Sequence, residues 1–109
     1  MGEAKAGPVP GEAAAEVASE RLRVAITYCV QCNWLLRAAW MAQELLSTFK
    51  DDLAEVALIP ATGGAFRIEA GDALLWERVR DGGFPDVKAL KQRVRDRLDP
   101  GRDLGHIDR

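Results

Sequence analysis

The chain has 109 residues, 48% of them hydrophobic and 29% charged, with a formal net charge of -2. That suits one small globular core, excludes bulk disorder, and gives no overall attraction to polyanions, so nucleic acid is not an expected partner. No run approaches the roughly 18 uncharged apolar residues that cross a bilayer, and the first 20 residues carry four glutamates and lack the basic and apolar regions of an export signal. Ala6 also stands where an acylation motif wants Ser or Thr. The expectation is a cytoplasmic protein with no membrane partner.

Residues 1–20, rich in Ala, Glu, Gly and Pro, read as a flexible N-terminal tail with helical tendency over 12–18. Residues 22–28, "LRVAITY", combine alternation with β-branched side chains and predict a first strand buried on at least one face. From Asn33 to Phe49 the spacing becomes helical, with Leu35, Ala38, Ala39, Ala42, Leu45, Leu46 and Phe49 on one stripe. This predicts a helix that starts at or inside "CVQC". "LAEVALIP", residues 53–60, reads as a second strand ended by its proline, and a short-jointed strand–helix–strand unit pairs its strands in parallel with a right-handed crossover. After the turn "ATGG", Phe66, Ile68 and Ala70 alternate with Arg67 and Glu69 as a third strand. Gly71 and Asp72 turn the chain into a fourth strand over 73–79. Pro85 and Asp86 open a last helix carrying Val87, Leu90, Val94 and Leu98, and Asp99, Pro100 and Gly101 end it. The order β-α-β-β-β-α predicts an α/β, thioredoxin-like domain over 21–99, a four-stranded mixed sheet with two helices, and a C-terminal tail over 100–109.

Cys29 and Cys32 lie at the junction of the first strand and the first helix. A structural zinc needs four ligands, and two Cys with His106 supply three, so no metal and no cofactor is expected. Cytoplasmic thiols are kept reduced, so a permanent staple is not expected either. Two readings remain: a pair of small buried hydrophobes, or a redox pair. A helix start brings unpaired N–H groups and the positive end of the helix dipole, which stabilise thiolate. That places Cys29 exposed as the attacking sulfur, with Cys32 one turn in as the resolving one.

"YCVQCNW" at residues 28–34, "GGAFRIE" at 63–69, "LLWER" at 74–78 and "GGFPDVKALKQRVRD" at 82–96 resemble the selenoprotein W, T and H family, also called Rdx, and its bacterial selenoprotein W-like members with cysteine in place of selenocysteine. The resemblance spans nearly everything after residue 20. It implies a thioredoxin-like domain whose CxxC takes part in thiol redox chemistry, in a cell redox homeostasis linked to glutathione or protein thiols. In selenium-containing members the selenocysteine holds the second motif position, that of Cys32. This implies the opposite order of attack, with Cys29 closing the disulfide. Thioredoxins also set a cis-proline against the CxxC. Here Pro60 comes too early, and Gly63 and Gly64 are expected in that facing loop, either to admit a substrate backbone or as a left-handed turn.

Gln31 is a candidate hydrogen-bonding group for a partner peptide, and Trp34 a docking surface or a filler against the sheet. Trp40 and Trp76 read as core or rim. Arg37, one turn past Cys32, and the cluster Lys91, Arg93, Arg95 and Arg97 read as solvated helix faces. His106, the one histidine, is a proton-donor candidate only if its tail folds back. The leading expectation is thus a thiol–disulfide redox protein with catalytic Cys29 and Cys32, substrate contacts at Gln31, Trp34, Gly63 and Gly64, and protein thiols or glutathione as partners. The rival is a redox-responsive interaction module without turnover.

Overall fold

The computed structural model describes residues 21–105; the N-terminal segment and His106 lie outside the described residues. The first strand, β1 (Leu22–Cys29), is central in a four-stranded sheet of order β2-β1-β3-β4. It pairs in parallel with β2 (Leu53–Ala61) and antiparallel with β3 (Phe66–Ala70), which pairs antiparallel with β4 (Ala73–Glu77). A central position explains why β1 is buried on both faces: Val24, Ile26 and Tyr28 join the main core, and the alternate residues Ala25, Thr27 and Cys29 are buried on the other face. That second face also carries the ion pairs Arg23–Glu55 and Arg67–Glu69.

The core side of the sheet is covered by α1 (Leu35–Phe49) and α3 (Val87–Leu98), which contribute Ala38, Met41, Ala42, Leu45 and Phe49, and Leu90 and Val94, to a single cluster with Phe66, Ile68 and Trp76. Burying one such large side chain stabilises the fold by about 1.5–3 kcal/mol. Between the helices, Lys91 donates to Glu44 at 2.8 Å and is itself buried. Helix α3 opens as expected, with Asp86 accepting from the Ala89 N–H at 2.7 Å. Following it, Arg102 reaches back to Asp52 at 2.6 Å.

Four expectations need correction. Helix α1 starts at Leu35, beyond the cysteine motif and not at or inside it, because Asn33 is left-handed (φ 62°) and cannot continue a right-handed helix. Leu35 and Leu46 consequently stay exposed, and Met41 takes a place on the buried stripe. Strand β2 runs one residue past Pro60. The Val30 N–H donates to the Ala61 carbonyl, so by alternation Pro60 turns its nitrogen outward, away from β1, on an edge strand where no donor is needed. Strand β4 stops at Glu77, whose carboxylate accepts from the N–H groups of Val79 and Arg80 and so starts a third helix, the four-residue α2 (Arg78–Asp81). The basic residues of α3 are solvated only in part: Lys91 is buried and Arg93 stacks on Trp76 at 4.4 Å, whereas exposed Arg97 pairs with Asp72 at the surface at 2.6 Å.

Candidate functional site

The cysteine loop is built as an extension of β1. Val30 adds one more rung to β2, its N–H donating to Ala61 at 2.9 Å, and the Asn33 N–H then closes a tight turn on the Val30 carbonyl at 3.0 Å. Asparagine is among the few residues that tolerate the left-handed conformation this turn requires. The turn folds Cys32 back onto Cys29, and the two sulfurs are joined as a disulfide with Cα atoms 5.3 Å apart.

Exposure of the two cysteines is the reverse of the expectation. Cys29, the last residue of a central strand, is 0% exposed, whereas Cys32 in the turn is only half-buried. Cys32 also lies nearer the start of α1. That helix has Trp34 at its N-cap with no side-chain cap and no acidic residue in its first turn, so the partial positive charge of its N-terminal N–H groups is not answered by a side chain.

On one flank stands the glycine turn. Gly63 and Gly64 are both left-handed (φ 72° and 75°); the Gly63 N–H donates to Gln31 Oε1 at 3.3 Å, and the Gly64 carbonyl accepts from Arg78 Nε at 3.3 Å. A Cβ at Gly63 would meet open space, so its backbone angle, not crowding, selects glycine there. Half-buried Trp34 packs edge-on against Phe66 (6.3 Å) and Phe84 (4.9 Å). Arg78 lies over the Trp34 ring at 5.1 Å and Arg37 over Phe84 at 4.2 Å. Arg37 is therefore held on an aromatic face instead of being simply solvated. Trp40, 48% exposed, is a rim residue, and Trp76 is core.

All six candidate residues come together: Cys29 with Cys32 through sulfur, Gln31 with Gly63 through a hydrogen bond, and Trp34 with Gly64 through Arg78. Sequence reasoning missed Arg78, which acts from another element, and Phe84, although "GGFP" was singled out as a motif. It also missed Asn33, for which "CN" before a helical stripe was the available signal. A depression of about 460 Å³, lined by Tyr28, Val30, Asn33, Leu35 and Leu36, adjoins the loop. Among the described residues no group of three or more His, Cys, Asp or Glu is placed to hold a metal ion, and no helix is long and apolar enough to cross a membrane.

Fold and site together define a thioredoxin-like protein with a disulfide-forming CxxC at the end of its first strand. The model of the Rdx family matches residues 23–96, and the chain belongs to that family. A selenoprotein W-related protein from Vibrio cholerae has a crystal structure 53% identical in sequence, with a TM-score of 0.72, covering 72% of this chain and 99% of its own. A crystal structure of a Bordetella parapertussis protein is 69% identical with a TM-score of 0.71 over the same shares, 72% and 99%. Migration and invasion enhancer 1 from Mus musculus is 30% identical over 90 residues, 81% of this chain and 72% of that protein. Family membership and the Cys29–Cys32 pair at disulfide distance support a redox-type role.

Proposed function

We propose that the protein is a cytoplasmic thiol–disulfide redox protein in which Cys29 and Cys32 cycle between dithiol and disulfide, with protein thiols or glutathione as exchange partners. The observation that carries this reading is the unequal exposure of a bonded pair: Cys29 is fully buried, and Cys32 keeps contact with solvent beside an uncapped helix start. Such a pair suits attack at Cys32 and resolution by Cys29. The family resemblance that places selenocysteine at the position of Cys32 points the same way.

In the reduced protein, Cys32 loses its proton to water and its thiolate attacks one sulfur of the incoming disulfide. That S–S bond breaks, the leaving sulfur takes the electron pair and a proton, and a mixed disulfide remains on Cys32. Cys29, deprotonated in turn, attacks the Cys32 Sγ, closing the intramolecular disulfide and releasing the second substrate thiol. Two electrons and two protons pass to the substrate, and a low-molecular-weight thiol or a protein dithiol returns them by the reverse steps. Gln31, its Oε1 accepting from the Gly63 N–H, offers its amide NH2 to a partner peptide, and Trp34 and Gly64 bound the other side of that approach.

Alkylation rate against pH, resolved for each cysteine in the reduced protein with Cys29→Ser and Cys32→Ser as controls, tests the assignment. Cys32 is expected to react faster and to titrate below the ordinary thiol value of about 8.5. Two slow thiols titrating at or above that value would remove the basis of the mechanism. A second reading, a redox-responsive docking module without turnover, draws on the apolar side chains exposed around the loop: Val30, Leu35 and Leu36. A partner that binds one redox form while disulfide reduction stays negligible selects it.

A further inference from the structure

Resting on the thiol–disulfide reading, we propose that the site takes polypeptide substrates in which a large apolar side chain sits two residues from the reacting cysteine, and that this side chain seats in the depression lined by Tyr28, Val30, Asn33, Leu35 and Leu36.

Electrostatic matching carries the choice of occupant. From Val24 to Leu36 the sequence holds no charged residue, so both the cysteine loop and the wall of the depression are neutral. Of the nearest cations by position, Arg23 is paired with Glu55, while Arg37 and Arg78 keep their charge but are directed onto the Phe84 and Trp34 rings and are not part of the lining. Glutathione brings two carboxylates and an ammonium and finds no opposite side-chain charge in this lining. An apolar side chain finds Leu36 at 81% exposure, Val30 at 50% and Leu35 at 46%, surfaces whose removal from water favours association.

Position carries the reach. Asn33 lines the depression and directly follows Cys32, so the wall begins one residue from the attacking sulfur. An extended peptide advances about 3.3 Å per residue with side chains on alternate faces. With its cysteine joined to Cys32, the side chain two positions along, on the same face as the cysteine, therefore falls over the depression. A volume of about 460 Å³ is within the range that holds a ligand group. The uncapped first turn of α1 is a counter-pull towards an anion, which makes glutathione the informative competitor.

The test uses the full-length Cys29→Ser chain, so that each reaction stops at the Cys32 mixed disulfide. The probes are blocked pentapeptides Leu-Gly-Cys-Gly-Leu and Ser-Gly-Cys-Gly-Ser carrying 2-nitro-5-thiobenzoate as a disulfide, the same disulfide of glutathione, and that of 2-mercaptoethanol. Attack by the Cys32 thiolate on the peptide sulfur releases the coloured thiolate and is followed by absorbance. The leucine peptide is expected to react about tenfold faster than the serine peptide, the scale of one apolar contact, with glutathione no faster than serine. The leucine-to-serine ratio should fall to about one in Leu36→Glu and persist in Leu74→Ser, an exposed apolar position on β4. Equal peptide rates, or glutathione fastest of all, overturn the proposal while leaving the redox reading intact. Failure of every probe, 2-mercaptoethanol included, overturns the redox reading and the proposal with it.

Discussion

The two ends of this small domain are organised on different terms. Around β4, α2 and α3 the polar groups answer one another: Trp76 Nε1 donates to the Gly83 carbonyl at 2.8 Å, Arg93 covers the Trp76 ring, and Asp81 receives the Glu77 N–H at 2.8 Å and the Arg80 guanidinium at 2.8 Å. Around the cysteine loop, the helix start has no side-chain cap, Asn33 holds a left-handed backbone, and Leu36 stands almost wholly in water. One end fixes the chain and the other leaves contacts unmade. Since the unmade contacts surround the disulfide, they lie where a partner molecule can complete them.

The comparison breaks most sharply at the sulfurs. Cys32→Ser should abolish both the intramolecular disulfide and mixed-disulfide formation, while Cys29→Ser should keep the second and accumulate it; intact mass under non-reducing conditions distinguishes them. If Cys29 alone traps substrate, the order of attack is reversed. Next in size is the shared core beneath both ends. Leu45→Ala should cost about 2–5 kcal/mol in urea unfolding without changing the pH profile of Cys32 alkylation. Smaller effects separate the ends themselves. Asn33→Ala, forced into a left-handed turn, should cost about 1–2 kcal/mol and slow disulfide closure, with Asn33→Gly restoring the closure rate. Trp76→Phe, which leaves the Gly83 carbonyl without its donor, should cost about 1 kcal/mol and leave closure alone.

The smallest expected effect is in acid. Two N–H donors, from Arg80 and then Val79, hold the Glu77 carboxyl below its ordinary value; the Arg80 side chain and then the Glu77 N–H do the same for Asp81. Lowered carboxylates contribute stability that is fully present above their ordinary titration range, near pH 4 to 4.5, and lost as pH falls through the lowered folded values. Asp81→Asn should therefore flatten the loss of thermal stability below about pH 4.5, and a curve parallel to the parent's would remove this carboxylate from the account.

Much of the fold was legible because local pattern and tertiary role agree. The alternation of Phe66, Ile68 and Ala70, the β-branched run of β1 and the Asp86 cap each state their own conformation. The site was legible as a set of residues through "CVQC" and "GG". What stayed hidden depends on contacts distant in sequence or on a single backbone angle. The exposure order of Cys29 and Cys32 follows from β1 being central and from Asn33 delaying the helix, neither of which hydrophobic spacing encodes. Arg78 reads as the end of a strand until Glu77 caps α2. Lys91 and Arg93 look solvated on a helical wheel because their partners, Glu44 and Trp76, belong to α1 and β4.

Pro60 has a consequence for the molecule in a crowded solution. Strand β2 is an open edge with Leu58 and Ile59 exposed, a sequence that invites another chain to extend the sheet. An incoming strand meets a missing donor where Pro60 turns its nitrogen outward, and the ladder lacks a rung next to the residues that would draw it in. The apolar edge leading to the cysteine loop can thus remain uncovered without seeding polymerisation.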